Sequence, residues 1–353
     1  MDTAKLLAEI RPRWIQRSVS GARSGNAPLD WGVVATSQER SIQPRRAAEL
    51  IERIETNLHR VIVGKEQVVR LALAGLIAGG HVLLQDLPGT GKTMLARALA
   101  TSVGGTFRRI QSTPDLLPSD ITGSSVFNQK DLTFEFVPGP IFANIVLADE
   151  VNRATPRTQS ALLEAMGEGQ VTVEGTTRVL DRPFFVVATQ NPAEFHGTYP
   201  LPESQLDRFV LAAEMGPPTD VEAMEVLARR EHGDPIAELG AVIDVHEVIE
   251  LQEACLRVVA APAIRTYIVA LMHAIRIRPD VVLPASMRAG VYLQRVAQAW
   301  ALFEGRDFVL PDDVKLLSRP VLAHRLGMRG RGKAAEMIDE VVASLPIPPL
   351  RQH

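Results

Sequence analysis

Six side chains in this sequence could together cut a phosphoanhydride: a lysine and a threonine in a glycine loop, two adjacent acids, an asparagine and an arginine. The loop runs Gln85-Asp86-Leu87-Pro88-Gly89-Thr90-Gly91-Lys92-Thr93. It matches G-x-x-x-x-G-K-[ST] at every fixed position but the first, where Asp86 replaces glycine. In such a loop, successive main-chain N–H groups and the N-terminus of the following helix face phosphate oxygens. Lys92 would neutralise the β- and γ-phosphates, and the Thr93 hydroxyl would ligate Mg²⁺. Pro88, Gly89, Thr90, Gly91, Lys92, Thr93 and Met94 are therefore assigned to the nucleotide, with ATP and Mg²⁺ the expected cofactors.

The adjacent acids are Asp149 and Glu150, which close the apolar run Ile145 to Ala148. Open α/β sheets bind ligands at the carboxyl ends of their strands, so acids placed there face the phosphates. Asp149 would hold the Mg²⁺ hydration shell, and Glu150 would orient and deprotonate the attacking water. Asn191 follows the apolar run Phe184 to Ala188 and could hold that water; Arg208 lies further on and could supply a transition-state cation. Cations of this kind contribute about 10³ to 10⁵ in rate. Each residue also has a plainer reading: a glycine turn, a solvated acidic turn, a turn cap, an ion pair of Arg208 with Asp207 or Glu203. Their joint placement after strands favours the chemical one.

The elements that must position these groups are legible as alternating periodicities. Ala47 to His59 repeats apolar residues at helical spacing, and Leu71 to Leu84 reads as a helix end, a Gly-Gly turn and a central strand. Short apolar strands alternating with helices predict an α/β sheet buried on both faces. After Pro217-Pro218 the strand signals fade, and helical periodicity dominates Leu251 to Leu326. Residues 1–42 carry Arg11, Arg13, Arg17 and Arg23 among Ser, Gly and Pro, and read as a flexible extension. Trp14 and Trp31 within it are possible docking anchors.

The chain has 353 residues, 46% hydrophobic and 22% charged, with a formal net charge of -3. That balance supplies ample core and gives no basic field for nucleic acid or an anionic membrane. A single cysteine, Cys255, excludes an internal disulfide and fits a reducing cytoplasm, where Cys255 would be a buried helix residue. No stretch is long enough to span a bilayer, and the N-terminus lacks the apolar core of a secretory signal.

Longer strings carry a resemblance. Thr113 to Asp120 (TPDLLPSD), Pro138-Gly139-Pro140, Ala148 to Ala154 (ADEVNRA), Gln159 to Met166 (QSALLEAM), Ala188 to Pro192 (ATQNP) and Gly197 to Phe209 (GTYPLPESQLDRF) resemble the MoxR branch of the AAA+ ATPases over residues 45 to 330. The resemblance implies an AAA+ P-loop NTPase core over 43–230, with a parallel sheet, and a small helical lid domain over 231–353. It makes Lys92 and Thr93 the Walker A pair, Asp149 and Glu150 the Walker B pair, Asn191 the sensor-1 residue and Arg208 an arginine finger acting on a neighbouring subunit's nucleotide. Arg288 resembles the lid's sensor-2 arginine, although Met287 stands where the family commonly has Pro; Val63 and Gly64 resemble the segment bordering adenine.

The resemblance also implies a hexameric ring, chaperone-like remodelling, and a protein partner, often one with a von Willebrand A domain. Hairpins are expected over 121–138, with alternating Phe134 and Phe136, and over 168–182 around Glu174-Gly175; trimming 124–135 is expected to abolish client remodelling and spare basal hydrolysis. Two alternatives differ in class: a DNA-acting AAA+ motor, against which the charge balance argues, and a nucleotide-gated scaffold that barely hydrolyses, motivated by Asp86. A unit charge about 4 Å from phosphate costs about 1 to 4 kcal/mol. Asp86→Gly is therefore expected to tighten ATP binding modestly, unless the carboxylate points elsewhere.

Overall fold

The computed structural model describes residues 42–87, 89–191, 198–231, 233–329 and 333–347. The N-terminal extension with Trp14 and Trp31, and Pro88 of the phosphate loop, lie outside the described residues. The framework is a five-stranded parallel sheet of β1 (Val82–Gln85), β2 (Phe107–Gln111), β5 (Ile145–Asp149), β8 (Phe185–Gln190) and β9 (Leu211–Ala213), in the order β2-β5-β8-β1-β9. The three inner strands β5, β8 and β1 are buried along almost their whole length, which explains their unbroken apolar sequences. The outer strand β2 is Phe-Arg-Arg-Ile-Gln, with only Ile110 buried.

Helices α1 (Pro44–His59), α2 (Glu66–Ile77) and α3 (Lys92–Ser102) cover one face of the sheet. Helix α1 buries Leu50, Ile51, Ile54 and Leu58, the stripe its spacing predicts. The opposite face is closed by α4 (Pro118–Thr122) and α5 (Pro156–Glu168), through Ile121, Leu162, Leu163 and Met166. Thr155 caps α5 by accepting a hydrogen bond from the Thr158 N–H.

Two antiparallel hairpins project from this body, β3 (Gly123–Asn128) with β4 (Thr133–Pro138), and β6 (Gln170–Val173) with β7 (Thr176–Val179). The second turns through Glu174 and Gly175, both at positive φ, which suits the right-handed twist of its strands. The short helix α6 (Glu203–Leu206) precedes β9; beyond β9 come α7 (Asp220–Arg230) and then α8 (Val245–Arg257), α9 (Pro262–Arg276), α10 (Met287–Phe303), α11 (Pro311–Leu322) and α12 (Ala334–Ser344). The short pair β10 (Val281–Leu283) and β11 (Gly327–Met328) joins them. Helix α10 packs on α1 and α2, so one apolar cluster continues from the sheet's helical layer into the C-terminal helices. Cys255 is buried in α8, and burial pushes its thiol up to about 12, so it stays protonated and unreactive.

Candidate functional site

The ladder register brings the strand ends to one line. Gln111 pairs with Asp149, and Gln85 with Gln190, so the residues that follow each strand emerge side by side. A cavity of about 440 Å³ opens there, lined by Gly89, Gly91, Lys92, Thr93 and Met94 of the loop and by Asp149, Glu150 and Asn191. Gly91 caps α3 at φ 94°, a conformation that favours glycine and turns the chain from loop to helix.

Lys92 is buried along most of its side chain. Its Nζ donates to the carbonyls of Asp86 (3.1 Å) and Leu87 (2.7 Å). Burial draws the ammonium's pKa down, opposed by the charges of Asp86, Asp149 and Glu150. The two adjacent acids are held differently. Asp149 accepts from the Thr189 hydroxyl at 2.6 Å and pairs with the Arg109 guanidinium. Glu150 sits at φ 55°, ψ 50°, a left-handed conformation that a non-glycine residue keeps only when its surroundings enforce it. The enforcement is visible: its N–H donates to Thr189 Oγ1 at 2.8 Å, and its carboxylate meets Gln111 Nε2 at 3.3 Å and Arg153 at 3.1 Å.

Four residues lining this cavity carry no role in the sequence analysis. Thr189 ties the two acids together, and Arg109 and Gln111 reach them from β2. Thr189 offered a signal, a polar residue ending an otherwise apolar strand. Arg109 and Gln111 alternate on an edge strand that has no apolar run to announce it. Arg230 of α7 also lines the cavity.

A second cavity of about 370 Å³ adjoins the first, sharing Gly89, Gly91, Met94 and Arg230. Its walls are Val61, Ile62 and Val63 on one side and Ala223, Val226 and Leu227 of α7 on the other, an apolar slot of the kind a purine ring fills. Gly64, at φ 63°, lies so close to Glu222 that an added Cβ would stand 2.0 Å from its carboxylate oxygen. Thr90 faces the slot as well.

Three expected residues among those described, Gly64, Arg208 and Arg288, are not among those lining either cavity. Arg208 donates to the Leu163 carbonyl at 2.7 Å and lies against Gly167, on the flank of α5. Arg288 is 4.0 Å from Asp207 and more than half exposed. Asp207 also accepts from Ser286 (2.9 Å) and pairs with buried Arg325 (3.1 Å), so it fastens the C-terminal helices to the residue before Arg208.

The geometry corrects the expectation for Asp86. Its carboxylate does not lie free beside the phosphate loop: Gly216 N–H donates to Oδ1 at 3.1 Å, and Met215 N–H donates to Oδ2. The charge is compensated locally, so the repulsion that would make Asp86→Gly tighten ATP binding loses its basis.

Among the described residues, no group of three or more His, Cys, Asp or Glu could cage an ion alone. Thr93 and Asp149 present one hydroxyl and one carboxylate to the same cavity. That donor set fits magnesium, which is commonly held by one or two protein oxygens, substrate phosphates and water.

The comparisons agree with this architecture. The family described as "ATPase family associated with various cellular activities (AAA)" matches residues 81–211, and the AAA lid domain matches 273–345. YeaC of Bacillus subtilis, an uncharacterised protein, is 49% identical over 304 residues, covering 85% of this chain and 95% of its own. Chaperone MoxR1 of Mycobacterium tuberculosis is 40% identical over 307 residues, covering 84% and 81%. The crystal structure of a candidate ATPase from Cytophaga hutchinsonii superposes with a TM-score of 0.82 at 35% identity, covering 87% of this chain and 97% of that one. The fold is that of an AAA+ core with a helical lid, and the chain belongs to the MoxR family of AAA+ ATPases.

Proposed function

We propose that this protein hydrolyses ATP in the larger cavity and uses the cycle, in a ring of subunits, to remodel a protein partner. The observation that carries the reading is the convergence of Lys92, Thr93, Asp149, Glu150 and Asn191 on one cavity at the carboxyl edge of the sheet. The apolar slot beside it would take the adenine between Val61, Val63 and Leu227. Lys92 would exchange its loop carbonyls for phosphate oxygens, which are stronger, charge-assisted partners. Glu150 would take the proton of a water held by Asn191, its orientation fixed by Thr189 and Gln111. A bound Mg²⁺, held by Thr93 and Asp149, would supply charge neutralisation at the β- and γ-phosphates.

Arg208 sits on the flank of α5, which suits an arginine finger offered to a neighbouring subunit. A ring, taken as a hexamer, follows from that role. Arg288 would act as the lid's phosphate sensor only after leaving Asp207, so lid movement is part of the proposal. The core is taken as 43–230 with the hairpins as insertions, and the lid as 231–353. The partner proposed is a cytoplasmic client, a von Willebrand A domain protein being the first to test. Chaperone MoxR1 supports this reading by its name.

Mixing Arg208→Ala subunits with Lys92→Ala subunits tests the assembly. Each alone is expected to be inactive, and the mixture to recover part of the ATPase rate, because one subunit supplies the finger and another the nucleotide. No recovery from mixed rings of confirmed size would contradict action across the interface.

A further inference from the structure

Asp86 occupies the place where the loop motif has glycine, and every polar group it carries is committed. Its N–H donates to the Gln190 carbonyl at 3.1 Å, extending the β1–β8 ladder past the strand end. Its carbonyl accepts from Lys92. Its carboxylate, in a residue only 7% exposed, takes one main-chain N–H on each oxygen, from Met215 and Gly216. Consecutive N–H groups at a turn with Gly216 at φ 66° form an anion-binding concavity, and here the chain fills it with its own carboxylate. Such charge-assisted bonds are about twice as strong as neutral ones.

What the clamp holds is the start of the segment that carries one wall of the apolar slot. Met215 is buried, and its methyl lies 3.6 Å from where a Cβ on Gly91 would be, so it packs on the phosphate loop. Two residues on, the Pro217 carbonyl accepts from Lys65, which also pairs with Glu222 of α7. Helix α7 then places Ala223, Val226 and Leu227 in the slot, although it buries none of its own residues. Its position therefore depends on tethers at its two ends: Arg229 donates to the His59 (2.9 Å) and Arg60 (2.7 Å) carbonyls at its close, and at its start the Asp86 clamp is the tether rooted in the phosphate loop.

We propose that Asp86 is a positioning residue that fixes the base-side wall against the phosphate loop, and so sets affinity for the adenosine part of the nucleotide while leaving triphosphate binding alone. This rests on the reading of the two cavities as an ATP site. The glycine of the general motif allows the loop to turn; aspartate here adds a brace that glycine cannot give.

The test measures Kd by calorimetry, with Mg²⁺, for ATP and for inorganic tripolyphosphate, on the full-length protein. Asp86→Gly is expected to weaken ATP about tenfold, the equivalent of about 1.4 kcal/mol, with tripolyphosphate unchanged. Asp86→Asn keeps one acceptor but turns an NH₂ toward an N–H donor; it should show a smaller loss of the same kind, and it carries the test should the glycine variant not fold. Unchanged or tighter ATP binding, or equal weakening of ATP and tripolyphosphate, would overturn the proposal. Wild-type protein that binds neither probe, or binding indifferent to Lys92→Ala, would overturn the ATP-site reading instead.

Discussion

The nucleotide cavity and the projecting hairpins treat their side chains in opposite ways. In the cavity Lys92, Asp149, Thr189 and Asn191 are buried, and the acids are held by named partners within the protein. On the hairpin β3–β4, the Phe127 and Phe134 rings meet tilted at 56° with centroids 5.3 Å apart, Phe134 is 72% exposed, and Leu132 at the tip is 75% exposed. The two hairpins are braced against each other: Ser125 donates to Glu174 at 2.6 Å, and the Arg178 guanidinium lies 3.7 Å over the Phe136 ring. Preorganised polar groups suit a ligand of fixed chemistry. Exposed aromatic and aliphatic side chains on a braced platform suit contact with another macromolecule. Under the proposed function, the contrast would place hydrolysis and client contact in separable parts of the chain.

The largest expected effect concerns the body that carries the cavity. His81 is fully buried at the start of β1; the Val186 N–H donates to its Nδ1 at 3.0 Å, so Nε2 bears the proton and donates to the Met166 carbonyl at 3.0 Å. Burial lowers its pKa from 6.5 to about 4. The unfolded chain binds this proton more tightly, so the group's stabilisation is complete above pH 6.5 and is lost as pH falls from 6.5 towards 4. The loss amounts to about 3 kcal/mol. His324 is half-buried, and desolvation of its ring lowers its pKa too, so it acts in the same direction. Urea unfolding at several pH values should show this decline, and His81→Gln should flatten it; an unaltered slope in the variant would contradict the assignment.

A smaller effect separates positioning from binding within the cavity. Thr189→Val removes the hydroxyl that links Asp149 to the Glu150 N–H, leaving a buried polar group without its partner. The ATPase kcat should fall about tenfold, with the Kd for ATP little altered. Equal losses in both would mean that Thr189 serves the fold more than the acids.

The smallest expected effect on basal turnover sharpens the contrast most. Removing residues 124–135 should leave basal ATP turnover unchanged while abolishing ATP-dependent remodelling of a client. Loss of basal turnover with the remaining fold intact would show that the hairpins belong to the hydrolytic machinery.

How far the sequence could be read follows from burial. Strands β1, β5 and β8 are enclosed on both faces, so each is an apolar run, and each ends in a residue whose polarity stands out: Gln85, Asp149, Gln190. The outer strands gave no such signal, since β2 exposes Arg108 and Arg109 and β9 is three residues long. Arg109 and Gln111 were lost with β2. The missing glycine at Asp86 was visible, but its meaning lay in two N–H groups about 130 residues away along the chain. For the same reason Asp207 passed as a neighbour of Arg208, when its partners Ser286, Arg288 and Arg325 are all supplied by the C-terminal helices. Local pattern announces what a residue could do; long-range partners decide what it faces.

The central claim is that Glu150, held in its left-handed conformation beside Asp149, activates water in an ATP site. Steady-state phosphate release measured for wild-type and Glu150→Gln protein, with ATP binding followed in parallel, tests it most directly. The account predicts wild-type turnover, a loss of about 10² to 10⁴ in the variant, and retained ATP affinity. A variant that turns over ATP at the wild-type rate would contradict it.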